Sequence, residues 1–105
     1  MKFIKLIAFT VLFSGGVFAQ QSIEAKAQEQ TSEMAQLLSL DAAQKDRVYI
    51  LNLKVAEKIE AIENNVELSD AKKEEFIQGN LMDRSRVMRS LLNDEQYAIY
   101  EEHYM

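Results

Sequence analysis

The chain of 105 residues has no cysteine and no proline, three glycines and one histidine. Without thiols no disulfide can staple the fold, no cysteine-based metal site can form, and no lipobox cysteine is present to carry a lipid. The lone histidine, His103, stands near the C-terminus beside Glu101 and Glu102. Adjacent helix positions do not face one another, and zinc needs three or four converging ligands, so neither a metal nor a cofactor is expected. Ser69, Ser85 and Ser90 have no histidine base close in sequence. Carboxylates alternate with lysines at helical spacing, as at Lys54, Glu57 and Lys58, which is the pattern of a solvated helix face. No catalytic residue is assigned, and the chain is not read as an enzyme.

The first residues carry a different signal. Lys2 and Lys5 precede the apolar run "LIAFTVLFSGGVF", 13 residues long, and small side chains at Val17 and Ala19 lie three and one positions before a cut ahead of Gln20. This is the layout of a secretory signal over residues 1–19, too short for a membrane span of about 20 residues. The alternative is an uncleaved membrane anchor. Cleavage near Ala19 leaves 86 residues, residues 20–105, with 10 basic against 17 acidic side chains and a net charge near −7. An acidic chain of this kind has no field suited to nucleic acid, and no stable membrane insertion is expected after cleavage.

Proline is missing and Gly79 is the only glycine after residue 19, while Leu, Ala, Glu, Lys, Gln and Met dominate. No β-branched run alternates with period two, so the fold class is all-α with four helices in a single domain. Ile23, Ala27, Met34 and Leu38 mark a first helix near 22–38, with an apolar face thin enough to fray. Val48, Leu51, Val55, Ile59, Ile62 and Val66 draw one stripe along a second helix from Ala42 to about Asn64. Ile77, Leu81, Met88 and Leu91 stripe a third, which starts near Ser69 or Asp70 and carries Arg84 on the same face. A short fourth runs from Asp94 to about His103, its tyrosines Tyr97, Tyr100 and Tyr104 packing it onto the rest. Short connections imply extended antiparallel helical hairpins. Eighty-six residues in thin hairpins leave apolar stripes half covered, with Tyr49, Ile50 and Leu53 beside the main stripe of the second helix, so a homodimer is expected.

One short pattern occurs twice, as Leu40-Asp41-Ala42-Ala43-Gln44 and Leu92-Asn93-Asp94-Glu95-Gln96. Asp41 and Asn93 each precede a helix, where the side chain accepts a hydrogen bond from a first-turn amide, and Gln44 and Gln96 reach back to close a capping box. Leu40 and Leu92 set the angle of chain entry; Leu92 has Tyr97 to staple onto, whereas Leu40 faces Lys45 at the equivalent position. Each box is expected to start its own helix, the two acting independently. Two such boxes in a small, exported, cysteine-free helical chain resemble the Spy/CpxP family of periplasmic proteins, which carry a twice-repeated L-T-x-x-Q motif. Asp41 and Asn93 stand where that family has threonine, and both cap at least as well.

The resemblance implies a periplasmic location, bent hairpins paired into a thin curved dimer, and an envelope stress response role. It implies an ATP-independent chaperone that holds exposed apolar segments of unfolding or misfolded envelope proteins, or alternatively an accessory regulator that docks the periplasmic domain of a stress-sensor kinase. The family's zinc-linked, histidine-rich branch is a poor match. An inert structural role would show neither activity. Met34 and Met82 are candidate client-binding side chains, because methionine adapts to many partners, Met82 lies off the third-helix stripe and Met34 sits on the thin first helix; Met88 is read as core. Arg84, Arg86 and Arg89 are either paired with acids of a neighbouring helix or form a positive patch for an acidic client or sensor.

Overall fold

The computed structural model describes residues 22–105. The secretory signal expected over residues 1–19, with its cleavage site, lies outside the described residues. Four helices follow in order, α1 (Ile23–Leu38), α2 (Ala42–Glu63), α3 (Asp70–Leu91) and α4 (Asp94–Tyr104), and no strand occurs among the described residues. Each boundary lies within a residue or so of the one the sequence predicts.

The reasons for these boundaries are local. Ser22, Asp41, Ser69 and Asn93 all sit in extended backbone and accept a hydrogen bond from the amide three residues on, which satisfies an amide that the helix itself leaves unpaired. Helix α1 stops at Ser39, which turns left-handed (φ 55°) while the Leu40 amide reaches back to the Ala35 carbonyl at 3.1 Å. That is a Schellman-type ending, built here on serine rather than the usual glycine. Helix α2 stops at Asn64; the Asn65 side chain caps the Glu67 amide (2.9 Å) and the Lys73 ammonium donates to the Glu63 carbonyl (3.0 Å).

α1 and α2 form one antiparallel hairpin, α2 and α3 a second, and α4 folds back against α1 and α3. The core comprises Met34, Leu38, Val48, Met88, Leu92, Tyr97 and Tyr100, with Leu37, Leu40, Leu51, Leu91, Ile99 and Tyr104 packed around it. It lies at the end of the molecule where the two short turns meet. Burying each such side chain fully contributes about 1.5–3 kcal/mol.

Three sequence expectations are corrected here. Helix α1 presents a continuous buried row, Ala27, Thr31, Met34 and Leu38, because Thr31 fills the apparent gap by donating to the Ala27 carbonyl (2.7 Å); a hydroxyl bonded within its own helix packs almost as an apolar group. Met34 is a core side chain, 0 % exposed, and presents no surface to a client. Val66 is 93 % exposed: α2 has ended, so the side chain belongs to the turn and not to the stripe.

Candidate functional site

Both capping boxes are formed. The Asp41 carboxylate accepts from the Gln44 amide (2.7 Å), and the Gln44 side-chain oxygen accepts from the Asp41 amide (3.0 Å). Asn93 and Gln96 repeat the exchange at 2.8 and 3.0 Å. The boxes are not independent, however. Gln44 Nε2 donates to Gln96 Oε1 at 2.8 Å and Gln96 Nε2 donates to Gln44 Oε1 at 3.1 Å. The second proton of each amide goes to the last residue of another helix: Gln44 to the Leu91 carbonyl at the end of α3 (3.1 Å), Gln96 to the Leu38 carbonyl at the end of α1 (3.1 Å).

Each glutamine therefore starts one helix and finishes another, and every donor and lone pair of both side chains is used. Turning either amide end for end would set nitrogen against nitrogen and oxygen against a carbonyl, so the network fixes one orientation. The two copies of the motif recur in the sequence because they are the two halves of one joint. The halves differ by one residue: three residues, 39–41, connect α1 to α2 and two, 92–93, connect α3 to α4. The extra residue is the left-handed Ser39.

The three arginines go to three different places. Arg84 is 8 % exposed and faces inward, its Nε donating to the Tyr100 hydroxyl at 3.1 Å and its guanidinium 5.9 Å from the Tyr100 ring centre and 5.8 Å from that of Tyr104. Ser85 completes this cluster, 3.3 Å from the same hydroxyl. Arg86 pairs with Asp83 on its own helix, with both side chains largely exposed, a contact of about 0–1 kcal/mol. Arg89 lies 4.8 Å from the ring centre of Tyr97, where a cation on an aromatic face contributes about 0.5–1 kcal/mol. They form no common patch. A buried arginine on a third-helix stripe is tolerated because aromatic faces and a phenol replace water around it.

Between α2 and α3 runs an open groove of about 400 Å³. Its floor is Leu51, Val55 and Leu91; Ile50, 52 % exposed, and Val87, 43 % exposed, form its edges. Arg47, Lys54 and Lys58 stand around it and Arg84 reaches it from below, with Asp83 the only carboxylate on the lining. Phe76, also 43 % exposed, continues the Val87 side of α3 by helical spacing. Met82 is exposed but points to another side of that helix. A second buried polar pair lies nearby: Asn52 donates to the Thr31 hydroxyl (3.0 Å) and to the Met34 sulfur (3.6 Å), while its Oδ1 is left without a partner.

The family model described as "Domain of unknown function (DUF4890)" matches residues 16–100, most of the chain. The chain belongs to the DUF4890 family. No curated protein and no solved structure matches it. The DUF4890 match spans both capping boxes, the groove and Arg84, so joint and groove alike fall within the family's domain. No cluster of side chains suited to a metal ion occurs among the described residues.

Part of this arrangement is legible in the sequence. Arg47, Lys54 and Lys58 are spaced 7 and 4 apart, one face of a helix, and that basic stripe on an acidic chain is visible in the sequence. The Gln44–Gln96 contact had a fainter trace, the recurrence of a glutamine at the same place in two boxes. The orphaned Asn52 oxygen had none.

Proposed function

We propose that this DUF4890 protein is an exported, periplasmic, chaperone-like binder of the Spy/CpxP type, which holds exposed apolar segments of unfolding envelope proteins without a cofactor. The observation that carries this reading is the division of the apolar side chains. The core is gathered at the joint, while Ile50, Phe76 and Val87 stay half exposed along one side of the α2–α3 hairpin. Scattered apolar contacts within a charged rim give weak, reversible binding: apolar area supplies attraction, and the surrounding lysines and arginines speed encounter and keep a loaded complex in solution. The twice-repeated box supports the likeness to Spy/CpxP proteins. The export pattern of residues 1–19 supports the location, and no helix among the described residues is long and apolar enough to cross a membrane.

The test is suppression of aggregation of two unrelated clients at near-stoichiometric ratio. Ile50→Glu and Phe76→Glu should each reduce protection without lowering the melting temperature. Met82→Glu, off the groove side, should reduce it less. Failure to protect either client would sink the chaperone reading, and a saturable complex of fixed stoichiometry with one sensor domain would replace it with the regulator.

A further inference from the structure

Arg84 is buried with no carboxylate in salt-bridge contact, although Glu60 and Glu63 line a second cavity that it also borders. The ion pairs among the described residues are Lys72–Glu75 and Arg86–Asp83, neither of which involves it. Tyr100 and Tyr104 give it a phenol oxygen and two ring faces, which soften its loss of water but supply no anion. A guanidinium held at 8 % exposure with no carboxylate in salt-bridge contact is a standing cost that a bound anion would relieve.

Arg84 is also part of the groove lining, where Arg47, Lys54 and Lys58 add three more cations against one carboxylate. Asp83 is already engaged by Arg86. On a chain whose net charge is −5, this is a local inversion of sign. It lies directly over an apolar floor, so the groove offers cations at its rim and hydrocarbon in its bed.

We propose that the α2–α3 groove binds a single-chain amphiphilic anion, a fatty carboxylate or a close analogue, with its head group at Arg84, Lys54 and Lys58 and its tail over Ile50, Leu51, Val87 and Leu91. For an occupant seated in the groove, as opposed to weak client contact along its edges, the chemistry favours an acyl chain over a polypeptide. The walls are helices whose backbone groups are bonded internally, so an extended peptide would find few partners for its own amides and carbonyls. A hydrocarbon tail has no polar group to satisfy. The volume suits one chain rather than a diacyl lipid. The proposal needs only the groove and its charge; a held client would share Ile50 and Val87 with the acyl chain, so the two would compete for this face.

The full-length protein and residues 20–105 are titrated with decanoate, decyltrimethylammonium and acetate, using displacement of a fluorescent fatty acid as readout. Decanoate should displace the probe, the cationic detergent should do so about tenfold less well because the head-group sign is wrong, and acetate should not displace it at all. Lys54→Glu with Lys58→Glu, both on exposed positions, should erase the preference for the anion while leaving the melting curve intact. Arg84→Gln should act in the same direction; if it unfolds the protein, the lysine pair still decides the matter. Equal displacement by the two decyl compounds, or none by decanoate at millimolar concentration, would overturn the proposal. So would stronger displacement by an acidic apolar peptide, which would give the groove to polypeptide. Co-sedimentation with anionic phospholipid vesicles in preference to decanoate binding would also overturn it, in favour of a membrane surface. Client protection, measured separately, does not enter these outcomes.

Discussion

Replacing Gln96 with alanine tests whether the two capping boxes form one joint. The variant loses the hydrogen bonds to the Asn93 amide and the Leu38 carbonyl and both bonds to Gln44. At about 0.5–1.5 kcal/mol net for each bond, less what water restores at the half-exposed Gln44, the cost is about 2–4 kcal/mol. Gln44→Ala should cost less, about 1–3 kcal/mol, because its site is more open to water. If the glutamines act as a pair, the double variant should fall short of the sum by about 1–2 kcal/mol. Thermal unfolding followed by circular dichroism resolves this, since about 4–8 °C corresponds to 1 kcal/mol in a domain this small. Gln96→Glu adds a pH signature. Its carboxylate would face the Leu38 carbonyl and the Gln44 oxygen, which raises its folded-state pKa; the penalty should then be absent in acid, below the ordinary glutamate value, and grow as pH rises through the folded value. Additivity of the two alanine variants within about 0.5 kcal/mol would refute the joint and return each box to a separate cap.

Other expectations follow from the same packing. Met34→Glu should unfold the protein or cost well over 3 kcal/mol, roughly the penalty of leaving a charge unpaired in a core, whereas Met82→Glu should leave the melt unchanged; equal melts would mean that the core is misplaced. Gly79→Ala should stabilise by about 0.5–1 kcal/mol, because a Cβ there meets nothing within 4 Å, and a lower melting temperature would show a hidden contact. Burial, and then the Glu33 carboxylate that accepts its hydrogen bond, raise the Tyr104 phenol above its ordinary value of 10.0. The folded state thus holds the neutral phenol after the unfolded chain has begun to ionise, so stability is complete below that value and declines as pH rises past it. Tyr104→Phe should make the alkaline decline in melting temperature shallower, and an unchanged slope would remove Tyr104 from the account. Light scattering of residues 20–105 at micromolar concentration should report twice the chain mass, with a persistent monomer counting against self-association and against the Spy/CpxP likeness.

Helix boundaries were legible because each rests on a few adjacent residues. Asp41 and Asn93 declare a start, Asn64 a stop, and nothing distant can overrule them cheaply. Burial was less legible because it depends on which face meets which. Met34 has polar neighbours on α1, yet Thr31 satisfies its hydroxyl with the Ala27 carbonyl and the Asn52 side chain and lets the whole row sink. Arg84 was placed correctly on the stripe of α3, but its surroundings, two tyrosines from α4, could not be read from α3 alone. The contact between Gln44 and Gln96 joins the α1–α2 turn to the α3–α4 turn. A capping box is a local device, and local reasoning had already given each glutamine a sufficient role.

That surplus role explains how the molecule can keep an apolar face open. A chain of this size has little core to spare, and leaving Ile50, Phe76 and Val87 in water forgoes burial that could have added stability. The joint offsets this by concentrating fully bonded polar groups and the core side chains at one end, where α1 and α3 end and α2 and α4 begin. Variants there should change melting and spare binding; variants along the α2–α3 groove should do the reverse. A substitution in the joint, such as Gln96→Ala, that abolished binding at temperatures where the fold is intact would break that separation. It would mean that the joint sets the angle between the hairpins, and with it the width of the groove.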